Sequence, residues 1–256
     1  MTVQVSELRL AEKTPRIGVV IPIYGESDSI YWVLDRFRKG SVGTICLVVD
    51  VPLKRDMDKI REAAKQVGIT VHIIKNRHRT GVGSSLRQGL KYLAGTGHDI
   101  AVVMAGNGKD DPAEIDRVVA PVVREECDYV QGSRYVPGGR KSRMPFVRVV
   151  FNRIYPLMWT LLTRRRCTDV TNGFRCYDFD VLRDPRINLD QEWLDGYSLE
   201  YYLHYKVLTL DYRVREVAVS KTYPFGNRGG YSKIQPLKDW WPIMSPVVLL
   251  FLGVRK

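Results

Sequence analysis

The sequence predicts an α/β fold in which a mainly parallel β-sheet is flanked by helices. Short apolar runs alternate with segments of helical periodicity through the first 135 residues, a pattern typical of βαβ units. Polar, glycine-containing loops follow several of the apolar runs, at the strand ends where α/β sheets bind ligands. The chain of 256 residues, 45% of them hydrophobic, is long enough for one large domain with a full core.

The first half consists of alternating strands and helices. Continuous apolar runs predict five strands, at Ile17–Ile23, Thr44–Asp50, Thr70–Lys75, Ile100–Met104 and Tyr129–Gly132. Amphipathic spacing predicts four helices, at Ser27–Arg38, at Asp56–Val67, at Gly83–Leu93 and from Pro112 onward. We therefore expect one doubly wound, nucleotide-binding half.

The character of the chain changes after Pro137. A basic loop that opens with two glycines leads into an apolar helix, which three arginines at 164–166 terminate. A further helix near Ser198–Leu208 and a strand near Tyr212–Val219 follow. The tail, 236–256, places two tryptophans before an apolar run with two final cations, which predicts an amphipathic helix at a membrane interface or, equally, a helix docked on the core.

The composition favours an anionic partner. The net charge is +12, which suits nucleic acid, acidic lipid or phosphorylated substrates, or serves solubility alone. The four cysteines form no CxxC pair, so a zinc knuckle is not expected. The first residues contain no apolar signal-peptide core, and no run reaches the roughly 20 apolar residues of a spanning helix. We expect a cytoplasmic protein.

Six short motifs occur in one order over residues 17–235. They are IPIYGESDSI at 21–30, VVD at 48–50, GNGKDDPAEI at 106–115, GSRY at 132–135, DVTNGFRCY at 169–177 and NRGGYSK at 227–233. Together they resemble the family 2 glycosyltransferases of the GT-A fold, in the branch of dolichol-phosphate-mannose synthase and other polyprenyl-phosphate glycosyltransferases. The resemblance implies a GT-A domain at 1–235, with a donor half at about 15–135 and an acceptor half at about 136–235.

The resemblance implies a nucleoside diphosphate sugar as donor. Pro22, Tyr24 and Glu26 would hold the base, and Asp50 would accept hydrogen bonds from base or ribose. Val51 stands where the family often has a second aspartate, so one polar contact is missing. Alternatively, Glu26 and Asp50 serve helix capping or solvation, and Tyr24 serves packing.

The loop after the third strand is a candidate phosphate site. Gly81 and Gly83 permit close backbone approach, and a helix N-terminus at Gly83 favours an anion, with Arg87 one turn further on. Lys233, in the last motif, is the remaining predicted donor-binding residue.

The 106–115 motif departs from the family segment DGDGQNDPADI at the residues expected to bind metal. Ala105 and Asn107 stand where the family segment has its two aspartates, and Lys109 stands where it has glutamine. This degenerate DXD motif lacks carboxylates to hold Mg²⁺ or Mn²⁺, although both residues would still line the donor site. We expect no required metal, with weak binding through Asn107 or Asp110 left open. Lys109 would stabilise the leaving diphosphate, unless it is simply a solvated lysine.

The second half would bind the acceptor. The predicted acceptor-phosphate residues are Arg134, Arg143, Arg148 and Ser232, although the arginines also suit a solvated face.

Two further residues complete the predicted catalytic set with Lys109. Asp169 would orient the acceptor or act as general base, unless it is a buried partner of Arg175. Arg228 lies in a glycine-flanked loop that would close over the phosphates.

The predicted function is inverting transfer of a sugar to a polyprenyl phosphate by a peripheral enzyme on the cytoplasmic face of an anionic membrane, with no nucleic-acid partner. Two alternatives stay open. One is transfer to a soluble hydroxyl acceptor. The other is a catalytically silent GT-A domain that binds nucleotide or a protein partner.

Overall fold

A seven-stranded sheet forms the centre of the protein. The computed structural model describes residues 14–25, 29–141, 146–222 and 240–256. The strands of the donor half are β1 (Ile17–Ile23), β2 (Thr44–Asp50), β3 (Thr70–Asn76), β4 (Ile100–Val103) and β5 (Tyr129–Ser133). Burial is complete along β2 and β4, because helices cover both faces of the sheet.

The helices of the donor half follow the strands as predicted, with shifted ends. They are α1 (Ile30–Asp35), α2 (Lys54–Gln66), α3 (Val82–Gly95) and α4 (Ile115–Val123). The helix expected from Pro112 begins as a 3-10 turn at Pro112–Glu114, which the Asp111 side chain caps by accepting from the Ala113 amide at 3.0 Å. Asp111 therefore has the capping role expected of an Asp-Pro pair.

The remaining elements follow residue 135. They are β6 (Arg140–Lys141), α5 (Phe146–Thr163), β7 (Arg175–Asp178), α6 (Phe179–Arg183), α7 (Ser198–Thr209), β8 (Val214–Ala218), β9 (Ser220–Lys221) and α8 (Trp240–Phe251). The strand order is β3-β2-β1-β4-β7-β5-β8, and β6 pairs with β9 in a separate two-stranded sheet.

One strand of the seven-stranded sheet was not predicted. β7 runs antiparallel between β4 and β5, with Val102 opposite Cys176, whereas the other strands of the large sheet are parallel. It lies within DVTNGFRCYD, which is too polar at its start to suggest a buried strand. Its insertion places the 168–174 loop next to the carboxyl end of β4.

Two layers of apolar side chains fill the space around the sheet. One layer joins α3, α5, α7 and α8 to one face, and the other joins α1, α2 and α4 to the opposite face. The four cysteines are all buried and unbridged. Among the described residues, no helix is both long and apolar enough to cross a bilayer.

A helix does form in the predicted tail. Ile243, Val247 and Leu250 of α8 are buried, and the helix packs against α7. Trp241, Phe251 and Leu252 are exposed. The tail thus has a face docked on the core, and its contact with a membrane stays a prediction.

Candidate functional site

The carboxyl ends of β1 and β2 enclose a cleft of about 240 Å³. It is lined by Ile23, Tyr24, Gly25, Val49, Asp50, Val51, Pro52, Leu53, Asp56 and Ile60. Adjacent parallel strands end at the same edge of a sheet, so the cleft brings together the two motifs predicted to hold the base. Glu26 lies outside the described residues.

Tyr24 has a cationic neighbour that sequence reasoning missed. The guanidinium carbon of Arg79 lies 4.7 Å from the centre of the Tyr24 ring, a cation–π distance. Tyr24 is exposed at the cleft, so its ring offers a stacking surface. Pro22, two residues before Tyr24, is half-buried in β1. A Cβ at Gly106 would lie 3.1 Å from the Pro22 carbonyl oxygen, so the two backbones are close.

Asp50 is committed to the loop after β3. One carboxylate oxygen accepts from the Asn76 amide at 2.8 Å and the Thr80 hydroxyl at 3.0 Å, and the other accepts from the backbone of Thr80 at 2.9 Å and Gly81 at 3.1 Å. Burial raises the pKa of Asp50, but these hydrogen bonds outweigh it and hold the pKa below its usual value. Asp50 therefore positions the loop at the cleft, and its direct contact with a nucleotide stays a prediction.

The predicted phosphate site at the start of α3 is filled by the protein itself. The Asp195 carbonyl accepts from the backbone of Gly83 at 2.8 Å and of Ser84 at 3.1 Å. A Cβ at Gly83 would lie 1.9 Å from the Leu194 carbonyl oxygen, so this glycine is required by packing. Arg87 pairs with the Asp195 carboxylate and donates to the Leu189 carbonyl at 3.0 Å. Donor binding by Gly81 and Arg87 would need the segment around Asp195 to move away.

The loop after β4 folds around its own polar groups. The Ala105 amide donates to the Asp110 carboxylate at 3.1 Å, and the Asn107 side-chain oxygen accepts from the Lys109 amide at 3.1 Å. Gly108 has a φ of 71°, a backbone conformation that favours glycine. The loop therefore turns back on itself, and the position of Ala105 is tied to that of Asp110.

Lys221 is the main residue of this region that sequence reasoning missed. Its ammonium donates to the Asp110 carboxylate at 2.7 Å and to the Asn172 side-chain oxygen at 3.0 Å. Asp110 is 0% exposed and the Lys221 side chain 15%. The only signal in the sequence was that Lys221 precedes the last motif; the pairing depends on β9, which was not predicted.

These residues do not fit a divalent cation. Ala105 has no ligand atom, the Asn107 oxygen already accepts a hydrogen bond, and Asp110 already has an ammonium partner. Over the described parts of the chain, no three acidic, histidine or cysteine side chains cluster as metal ligands do. The alternative in which Asp110 restores the cation site is disfavoured, because Asp110 would first have to give up its ion pair with the partly buried Lys221.

Asp169 and Arg134 form a buried ion pair. Two guanidinium nitrogens of Arg134 donate to the two Asp169 oxygens at 2.6 and 2.7 Å, and one of them also donates to the Thr171 hydroxyl at 2.6 Å. Burial lowers the pKa of Arg134, but the hydrogen bonds and charge of Asp169 outweigh it and raise the pKa above its usual value. The partner of Asp169 is thus Arg134 and not Arg175, whose guanidinium donates to backbone carbonyls.

This pairing bears on two predicted roles. Arg134 is 5% exposed and bonded within the protein, so its service as an acceptor-phosphate ligand would require it to leave Asp169. Asp169 is 1% exposed and similarly occupied. Arg143, Arg228, Ser232 and Lys233 lie outside the described residues, and Arg148 is described only by its backbone in α5.

The geometry can be set beside known proteins. The sequence model of glycosyl transferase family 2 matches residues 18–184. The chain is 27% identical over 205 residues to an undecaprenyl-phosphate mannosyltransferase of Micrococcus luteus, covering 80% of this chain and 83% of that protein. It is 26% identical over 213 residues to a polyprenol monophosphomannose synthase of Mycolicibacterium smegmatis, covering 82% and 78%.

Solved structures share the fold. Glucosyl-3-phosphoglycerate synthase of Mycobacterium tuberculosis, in complex with Mn²⁺, uridine diphosphate and phosphoglyceric acid, superposes with a TM-score of 0.62 at 19% identity, covering 94% of this chain and 80% of that one. The predicted GT-A architecture is confirmed. With a family match over most of its length, the chain belongs to glycosyl transferase family 2, and it is a glycosyltransferase.

Proposed function

We propose that this glycosyltransferase moves a sugar from a nucleoside diphosphate sugar to a polyprenyl phosphate, with inversion at the anomeric carbon. The relatives named for undecaprenyl-phosphate and polyprenol substrates cover about four-fifths of the chain, and they support a lipid phosphate as acceptor. The cleft beside Tyr24 and Asp50 lies at the carboxyl edge of the sheet, where the donor would bind.

The observation that carries the choice of acceptor is the buried pair of Asp169 and Arg134. A hydroxyl acceptor needs a general base within hydrogen-bond reach. The Asp169 carboxylate, the predicted base, is instead held by two hydrogen bonds from Arg134 and is 1% exposed. A phosphate acceptor is already anionic near neutral pH and needs no base, so a positioning role for Asp169 is compatible with it.

In the proposed reaction, an acceptor phosphate oxygen attacks the anomeric carbon of the donor sugar. The bond from that carbon to the diphosphate breaks as the new bond forms, and the nucleoside diphosphate leaves with the electron pair. Negative charge develops on the leaving oxygen and must be stabilised by a fixed cation or aligned donors. Lys109, Arg228 and Lys233 are the proposed sources of that charge.

The test is a panel of nucleoside diphosphate sugars with a polyprenyl phosphate, the matched polyprenol that lacks the phosphate, and no acceptor. We expect transfer to the phosphate alone, with release of nucleoside diphosphate in equal amount. Transfer to the polyprenol or to soluble sugars would favour the hydroxyl-acceptor alternative. Nucleotide binding without turnover on any acceptor would favour a silent domain, which the loss of both carboxylates at 105 and 107 makes worth testing.

A further inference from the structure

The outward face of α5 carries a continuous row of apolar side chains, the α5 stripe. Its residues, Val150, Ile154, Leu157 and Leu161, are between 38% and 71% exposed. A helix advances about 100° per residue, so the four positions fall within an arc of about 60° and extend over about 16 Å. Single exposed apolar residues are ordinary, whereas a row of four along one helix marks an interaction surface.

The opposite face of α5 fixes the direction of the stripe. Tyr155 and Trp159 are buried in the core, as are Asn152 and Thr163 at the same helical spacing. The Tyr155 hydroxyl also donates to the Ile243 carbonyl of α8 at 2.7 Å. Turning the stripe inward would expose these side chains and break that bond, so the stripe is a permanent part of the surface.

Positive charge surrounds the stripe. Arg164, Arg165 and Arg166 are all exposed directly after its last turn, and exposed Arg153 borders it about 40° from Leu157. Apolar side chains beside cations suit an anionic lipid surface, where the chains enter the interface and the arginines meet headgroups. A second copy of the chain offers the same cationic border, whereas an anionic lipid surface offers the opposite charge.

We propose that the α5 stripe and its arginines seat the protein on an anionic bilayer. This inference rests on the proposed function, because it names the surface through which the lipid acceptor is reached. α5 begins directly after residues 142–145, so the stripe and the predicted acceptor residues Arg143 and Arg148 belong to one stretch of chain. A polyprenyl phosphate has its tail in the bilayer and its phosphate at the surface, so a protein seated on the bilayer through α5 would reach this acceptor there.

The first experiment measures binding of the full chain to vesicles of phosphatidylcholine, with and without phosphatidylglycerol. Leu157→Asp with Leu161→Asp should lower partitioning onto anionic vesicles at least about tenfold, because two exposed leucines that would enter the bilayer are replaced by charges. Val123→Asp, at an exposed valine of α4, is the matched control and should bind as the parent does. Equal binding by all three proteins would overturn the proposal.

A second pair of variants tests the charges without adding carboxylates. Arg164→Gln with Arg166→Gln should lower binding roughly thirtyfold, because each arginine at an anionic surface contributes about 1 kcal/mol of binding free energy. Arg55→Gln with Arg61→Gln removes the same charge from the exposed face of α2 and should have little effect. Equal losses in both pairs would mean attraction by net charge alone and would contradict a defined docking face.

Direct insertion can be measured with a label. All four native cysteines are buried, so Leu157→Cys adds an accessible thiol for an environment-sensitive fluorophore. Its emission should shift to the blue with anionic vesicles, and a label at Val123→Cys should not shift. The oligomeric state is measured on the same proteins. If the parent is a dimer, and if Leu157→Asp with Leu161→Asp makes it monomeric without changing vesicle binding, the stripe is an interface with a second copy and the proposal is overturned.

Activity separates this inference from the proposed function. The leucine double variant should retain transfer to a short, water-soluble prenyl phosphate and lose transfer to polyprenyl phosphate in vesicles. If the parent binds vesicles through the stripe but transfers to neither acceptor, the proposed function fails and the docking face stands. If the parent transfers to both and the variant does so equally, the docking face fails alone.

Discussion

The ion pair between Lys221 and Asp110 gives a sharp prediction, because one partner is fully buried. The change is Lys221→Met, which keeps the length of the side chain and removes its charge. The Asp110 carboxylate, at 0% exposure, would keep the Ala105 amide as donor but lose the ammonium at 2.7 Å. Removing one partner of a buried pair costs about 3–5 kcal/mol, since an uncompensated charge remains.

The measurement is the free energy of unfolding from urea titration. Lys221→Met should lower it by about 3 kcal/mol, the smaller value being expected since the lysine is 15% exposed. Adding Asp110→Asn should recover at least about 1 kcal/mol, because the amide needs no counter-charge. Arg165→Met is the control: it breaks the exposed pair with Asp211 and should cost less than about 1 kcal/mol.

Nucleotide binding adds a readout of position. If the pair holds the 105–110 loop in place, Lys221→Arg should retain more affinity for nucleoside diphosphate than Lys221→Met does. Two results would refute the reasoning. One is a Lys221→Met protein no less stable than Arg165→Met. The other is a Lys221→Met, Asp110→Asn double variant whose loss of unfolding free energy equals the sum of the losses in the two single variants.

Three more predictions concern charge at the site and in the core. Lys109→Ala should cost about 2–4 kcal/mol of transition-state stabilisation in single-turnover assays. Nucleotide binding by the parent should be insensitive to EDTA. Turnover that EDTA abolishes and Mn²⁺ restores would contradict this role of Lys109. Asp50→Asn should lower the free energy of unfolding by about 2–3 kcal/mol, because one carboxylate oxygen becomes an NH2 group that cannot accept, so donors such as the backbone amides of Thr80 and Gly81 lose their acceptor. Burial holds the pKa of His204 well below 6.5, so the unfolded chain binds a proton that the folded chain does not. The contribution of His204 to the free energy of unfolding should therefore be lost as the pH falls through about 6.5, by about 1.4 kcal/mol between pH 7.5 and 5.5, and stability should decline less steeply in His204→Gln.

The donor half was predictable from the sequence because its signals are local. Apolar runs such as Ile17–Ile23 and Thr44–Asp50 became strands at those bounds, since both lie in the middle of a covered parallel sheet. α1 was predicted at Ser27–Arg38 and spans only Ile30–Asp35. Helix ends depend on capping contacts that periodicity does not report.

The partners of the site residues were not predictable, because they are distant in the chain. The carboxylate of Asp169 is held by Arg134, and Asp110 is held by Lys221, through strands whose pairing decides the contact. Gly83 looked like a phosphate-loop glycine, yet the close approach it permits is that of the Leu194 carbonyl. A motif thus located the region of the site, while long-range packing decided which groups remain available to a ligand.

The antiparallel strand β7 has a consequence for how the chain folds during synthesis. β4 completes its hydrogen bonds only when Arg175–Asp178 arrives between it and β5. Until then a nascent chain carries the unsatisfied edge of a buried, apolar strand, which is a template for aggregation. A fragment ending near residue 135 would keep that edge open permanently. The segments before and after residue 135 therefore fold as one cooperative unit, and an expressed fragment ending there should be recovered as aggregate.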